Sequence, residues 1–187
     1  LNAKNLNNPI SLKPQHQEFI SADDIKSRIK ELGKQITLDY AGKKPLFVCV
    51  LKGAFIFMSD LIREIDLDLE VDFIVVSSYG ASTKSSGVVK MVLDLAKSIE
   101  GKDVILVEDI IDTSLTITYL INLFKQRNPA SLNVCSFLLK EDVAPSSTQC
   151  EYVGFKIPNE FVVGYGLDLD QSFRNLDHVA TYLGEGE

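Results

Sequence analysis

The sequence predicts an α/β fold: a mainly parallel, twisted sheet flanked by helices, with a small hood subdomain drawn from C-terminal and N-terminal segments. Three observations lead there. Apolar runs of strand length alternate with helical segments, the βαβ pattern of parallel sheets. The run L-F-V-C-V-L at 46–51 is apolar throughout, as a strand buried on both faces requires. Beyond about residue 150 the remaining segments read as short strands around 161–164 and 178–183. The 187 residues fit a single domain, with a core over about 40–140 and the hood over about 150–187 plus part of the N-terminal segment.

Each element has its own signal. Residues 1–20 are polar and proline-interrupted and read as a loosely held arm. Ser21-Ala22-Asp23-Asp24 resembles a capping box, and Ile25, Ile29, Leu32 and Ile36 follow on one helical face. After the 46–51 strand, Gly53 opens a helix to about Arg63, with Phe55, Met58, Leu61 and Ile62 predicted inward. Segment 71–76 is the next strand. The small, polar, glycine-bounded stretch 80–87 is a loop, after which 88–95 returns as a strand. Segment 103–108, a helix to about Arg127 and segment 132–139 complete a βαβ unit, and polar 141–149 links to the hood.

Composition excludes several functions. Hydrophobic content of 45% and charged content of 24% are ordinary for a globular chain, while the net charge is −7. No dense Lys/Arg cluster is present, which argues against nucleic acid as a partner. No run approaches the length of a membrane span, and the N-terminus has no apolar signal core. Cys49, Cys135 and Cys150 form no C-x-x-C pair and read as free thiols, which suits a reducing cytoplasm. With only His16 and His178, and no H-E-x-x-H or G-x-S-x-G, zinc proteases and α/β-hydrolases lack their motifs. There is no G-x-x-x-x-G-K-[ST] loop either.

The chemistry concentrates in V-I-L-V-E-D-I-I-D-T-S-L-T, residues 104–116. An apolar strand ends in Glu108 and Asp109; Asp112 follows, then Thr113, Ser114 and Thr116. From Leu115 the pattern turns helical, with Leu115, Leu120, Leu123 and Phe124 close to one face. A helix N-terminus presents free N–H groups and a positive dipole end, and so favours an anion. Hydroxyls suit a phosphate there, whereas carboxylates suit sugar hydroxyls or a hard cation such as magnesium. Such a turn implies a phosphorylated sugar as substrate.

V-E-D-I-I-D-T at 107–113 resembles the phosphoribosyl pyrophosphate motif of the purine phosphoribosyltransferases, more narrowly their hypoxanthine-guanine branch. Four further places agree in order: Leu51-Lys52-Gly53, Ser77-Ser78-Tyr79-Gly80, Lys140, and F-V-V-G-Y-G-L-D at 161–168 followed by Arg174. The similarity runs from about residue 46 to residue 182 and implies the type I phosphoribosyltransferase fold.

The resemblance implies a magnesium-dependent enzyme of purine salvage. It would join phosphoribosyl pyrophosphate to hypoxanthine or guanine, releasing IMP or GMP and pyrophosphate. Thr113, Ser114, Leu115 and Thr116 would cradle the 5-phosphate, and Glu108 and Asp109 would hold the ribose hydroxyls directly or through Mg2+. Asp112 would accept the proton at N7 of the purine. Lys140 would donate to the 6-oxo group, Phe161 would stack on the base, and Val162 would offer backbone groups to its edge. Asp168 would lie by the 2-position and a second magnesium. Leu51, Lys52, Gly53 and Arg174 would meet pyrophosphate, and Ser78 and Tyr79 belong to a lid. Relatives form homodimers or homotetramers. Ser114 stands where the family usually has Gly, and Glu160 where some relatives are basic. A xanthine-preferring enzyme and a non-catalytic phosphoribosyl-pyrophosphate sensor are the alternative readings.

Overall fold

The computed structural model describes residues 16–78 and 89–184. Its main sheet has six strands, β2 (Leu46–Leu51), β3 (Glu70–Ser78), β4 (Val89–Leu93), β5 (Asp103–Ile111), β6 (Ser131–Lys140) and β7 (Tyr152–Ile157), in the order β4-β3-β2-β5-β6-β7. All neighbours pair in parallel except β3 and β4. Successive strand residues point to opposite faces, so the apolar strands feed two cores. Phe47, Cys49, Ile105, Val107, Cys135 and Phe137 pack beneath helices α1 (Ala22–Asp39) and α2 (Phe55–Arg63). Val48, Val50, Val104, Leu106 and Val134 pack beneath α3 (Leu115–Lys125).

Helix α1 begins as its sequence dictates. The Ser21 side chain accepts from the Asp24 amide, and Ile25, Ile29, Leu32 and Ile36 are buried. Arg28 then fixes α1 to β7 by donating to the Val153 and Gly154 carbonyls at 2.7 and 2.8 Å.

The hood is a separate antiparallel sheet, β1-β9-β8, from β1 (His16–Ile20), β8 (Val162–Val163) and β9 (Val179–Tyr182). It is joined to the core by aromatic packing of Tyr165 on Phe137, with ring centroids 4.9 Å apart, and by the Tyr165 hydroxyl donating to Asp60. No helix among the described residues is long and apolar enough to cross a membrane.

Four details differ from the sequence reading. Tyr152–Ile157 extends the main sheet beside β6, so the C-terminal hood strands begin only at Val162. His16–Ile20, read as part of a loose arm, is a regular strand, and it supplies the N-terminal part that the hood was expected to include. Phe55, read as inward, and Leu115, read on one face with Leu120, Leu123 and Phe124, sit in the first turn of their helices and are exposed; Phe57, Met58 and Leu61, and Ile117, Leu120, Ile121 and Phe124, form the buried stripes. Finally, β5 continues to Ile111, so Glu108 and Asp109 lie within a strand rather than at its end.

Candidate active site

Parallel strands deliver their carboxyl ends to one edge, where ligands of open α/β sheets bind. At this edge β2 hands over to Leu51-Lys52-Gly53, β5 to Asp112–Thr116 and β6 to Lys140. The loop after β7 adds Asn159 to Phe161, and the hood adds Val162, Asp168 and Arg174.

Alternation along β5 sends its two acids to different places. Glu108 lines a small cavity of about 80 Å³ together with Ile110, Ile111 and residues 112–117. Asp109 lines a second cavity of about 260 Å³ with Asp112, Lys140, Glu160, Phe161, Val162, Leu167 and Asp168. Asp112 borders both. The structure therefore brings almost all the expected sugar and base residues around two adjoining spaces, but it does not place Glu108 and Asp109 side by side.

Burial sets the electrostatics of the two acids. Glu108 is 7% exposed, its Oε2 has no hydrogen-bond partner among the described residues, and burial pushes its carboxyl well above the ordinary range. Asp109 is raised to about 6, chiefly by burial, against the lowering effect of the Ile110 amide and Arg174. Glu108 thus keeps one carboxylate oxygen without the partner a buried charge requires, whereas Asp109 accepts from the Ile110 amide at 2.9 Å.

Helix α3 opens in the space Glu108 faces. Its first N–H groups lie ahead of the intrahelical ladder, whose first bond runs from the Thr118 amide to the Ser114 carbonyl. Ser114 has φ 63°, the left-handed region that favours glycine, and its side chain makes no cap bond to the helix. The Ser114 Oγ instead lies 2.7 Å from Thr148 Oγ1.

In the larger cavity, Lys140 Nζ donates to Asp112 Oδ2 at 3.1 Å and to Asn159 Oδ1 at 3.2 Å. Two of its three protons are thus placed, and one is free for a ligand. Phe161 is 53% exposed, an aromatic face left open at the cavity.

On the far side Leu51–Lys52 is a cis peptide, and Gly53 has no space for a side chain, since a Cβ would collide with Asp109 Oδ2. Arg174 pairs with Asp168 at 2.7 Å and donates to the Gly166 carbonyl at 2.7 Å. Gln171 Oε1 lies 3.5 Å from Lys52 Nζ and 3.4 Å from Arg174 Nη2, between the two cations. Sequence reasoning missed Asn159, Gln171 and Thr148. Their contacts span 19, 119 and 34 residues, and no local periodicity announces them. Ser78 ends β3, while Tyr79 and the rest of the expected lid, 80–87, lie outside the described residues.

Sheet order, hood and helix-opening turn define the type I phosphoribosyltransferase class. The family model described as "Phosphoribosyl transferase domain" matches residues 19–170. A hypoxanthine-guanine phosphoribosyltransferase of Streptococcus thermophilus is 51% identical over 167 residues, covering 89% of this chain and 93% of the relative. One from Mycobacterium bovis is 46% identical over 169 residues, covering 87% and 84%. The crystal structure of a hypoxanthine phosphoribosyltransferase from Staphylococcus aureus superposes with a TM-score of 0.85 at 44% identity, covering 89% of this chain and 90% of that one. The chain belongs to the phosphoribosyltransferase family, in its hypoxanthine-guanine branch.

Proposed function

We infer that the chain is an enzyme that transfers the 5-phosphoribosyl group of phosphoribosyl pyrophosphate to hypoxanthine or guanine, yielding IMP or GMP and pyrophosphate. The observation that carries this reading is the Asp112–Lys140 pair. It stands on the wall of a base-sized cavity that adjoins the opening of α3.

The residues divide the work. Thr113, Ser114, Leu115 and Thr116 receive the 5-phosphate on backbone N–H groups and hydroxyls. Glu108 and Asp109, one on each side of β5, accept from ribose hydroxyls. As the C1–O bond to pyrophosphate breaks and purine N9 bonds to C1, Asp112 takes the proton from N7. Lys140 donates a hydrogen bond from its remaining N–H to the 6-oxo group, a donor-only partner that a 6-amino group meets badly. Phe161 stacks on the base, and Val162 presents backbone groups to its edge. The Leu51-Lys52-Gly53 turn and Arg174 receive the leaving pyrophosphate, Arg174 with a planar fork.

Magnesium fits this site as an ion shared between protein and substrate. Asp109 and Asp168 offer hard oxygen donors on one cavity, and the unpartnered Oε2 of Glu108 offers another on its neighbour. No group of three or more such ligands converges among the described residues, so substrate oxygens and water would complete the shell. When bound, the ion would neutralise charge developing on the pyrophosphate.

We also propose a single domain of core and hood acting in a homodimer or homotetramer. Val71 and Phe73 on one face of β3, with Leu93 opposite Val75 on β4, are 39%, 43% and 50% exposed, an apolar strip suited to a second copy. Three free cysteines suit a cytoplasmic setting. The decisive assay offers hypoxanthine, guanine, xanthine and adenine with phosphoribosyl pyrophosphate, with and without Mg2+. Metal-dependent turnover of the first two and rejection of adenine are the expected result. Turnover of xanthine ahead of both would move the chain to the xanthine-preferring reading, and no turnover of any base would refute the enzyme.

A further inference from the structure

We propose that Thr148 is a positioning residue for the phosphate-binding turn, acting through Ser114; this rests on the reading of 113–116 as that turn. Ser114 is buried at 7% exposure and has φ 63°, ψ 5°, a conformation in which a side chain clashes with its own backbone. Ser114 and the residues after it, 115–117, line the small cavity, and the Ser114 conformation sets the backbone that leads into α3. The Ser114 hydroxyl is engaged with Thr148 Oγ1 at 2.7 Å, in a bond that either oxygen can donate.

Thr148 is itself well anchored. Its amide donates to the Pro145 carbonyl at 2.9 Å, and the next residue, Gln149, donates to the Leu132 carbonyl at 3.1 Å. A cavity of about 570 Å³ separates α3 and its leading turn from loop 145–149, and the Ser114–Thr148 bond bridges it. The disfavour of a left-handed serine and the gain from one partly buried hydroxyl pair are of the same order. The bond therefore decides how much of the population has its amides set for phosphate. A glycine at 114 would reach the same backbone unaided. The serine makes the turn dependent on a loop that begins directly after Lys140, through the turn bonded by the Ala144 amide to the Lys140 carbonyl.

The test is a double-mutant cycle on the full chain, reading calorimetric binding of ribose 5-phosphate and the separate KM values for phosphoribosyl pyrophosphate and hypoxanthine. Thr148→Val should weaken ribose 5-phosphate by about two- to ten-fold, the range of one neutral hydrogen bond, and raise the phosphoribosyl pyrophosphate KM alike. The hypoxanthine KM should stay unchanged, and Thr148→Ser should restore binding. In a Ser114→Gly background, Thr148→Val should have no effect. Equal losses in both backgrounds would reduce Thr148 to a structural part of its loop, and no loss in either would remove it altogether. Failure of the parent protein both to bind ribose 5-phosphate and to turn over would instead overturn the functional reading, and this inference with it.

Discussion

Asp103, the first residue of β5, accepts from Ser131 Oγ at 2.5 Å and from Lys43 Nζ at 3.0 Å, and these partners hold its carboxyl below the usual range. At the other end of the same strand Glu108 keeps an oxygen without a partner, and burial drives Glu108 and Asp109 upward. The contrast extends along both edges of the sheet. Around Asp103, Lys102 lowers Glu70 and Arg127 lowers Asp94. On the opposite edge sit the left-handed Ser114 and four positive-φ non-glycine residues between Tyr165 and Phe173. One edge has its charges satisfied and serves the fold. The other leaves polar groups and backbone in states that a ligand would complete.

The largest test of that contrast is Asp112→Asn. Turnover should fall by roughly 10²-fold or more while the KM for phosphoribosyl pyrophosphate moves little, because the proton acceptor is lost and the phosphate turn is not. Turnover near the parent's would take Asp112 out of the reaction. Next in size, Lys140→Ala should lower kcat/KM for 6-oxopurines by about 10–100-fold, the worth of one charged hydrogen bond, and narrow the gap to adenine. A variant that lost hypoxanthine and adenine equally would show that Lys140 does not read the 6-position.

Stability should separate the two edges by sign. Asp109 is raised to about 6 in the fold, against an ordinary unfolded value of about 3.9. Folded Asp109 keeps a proton that the unfolded chain has released, so the fold loses stability as pH climbs from about 4 to about 6. Asp109→Asn, melted in chelator, should be more stable than the parent above pH 6 and indistinguishable below about pH 4. The smallest effect belongs to Asp103→Asn. A depressed carboxyl contributes stability above its unfolded value and loses it in acid, so this variant should cost roughly 1 kcal/mol at pH 7 and almost nothing near pH 2. Matching pH profiles for the two variants would abolish the distinction.

What the sequence made legible follows from how local each signal is. Ser21 and the isoleucine spacing wrote α1 in full, and the apolar run at 46–51 announced a strand buried on both faces. The turn after β5 was legible because acids and hydroxyls interrupt an apolar strand. Its geometry was less so. Reading Glu108 and Asp109 as a strand end hid the two-residue alternation that sends them to different cavities. The six residues of β7 were placed in the hood because parallel pairing with β6 is long-range and leaves no turn signature. Asn159, Gln171 and Thr148 escaped for the same reason: ordinary polar residues acquire their partners only when distant loops meet.

Gly166, at φ 99°, lies so close to Gly53 that a Cβ on it would strike the Gly53 carbonyl oxygen, and Gly53 in turn lies against Asp109. The hood and the Lys52-Gly53 turn thus meet main chain on main chain, and the Asp109 side chain fills the space on the other side of Gly53. Randomising positions 53 and 166 together and selecting for purine salvage should return glycine at both. At this corner the catalytic chamber has no tolerance for even one methyl group, and drift in one layer must be matched by the next.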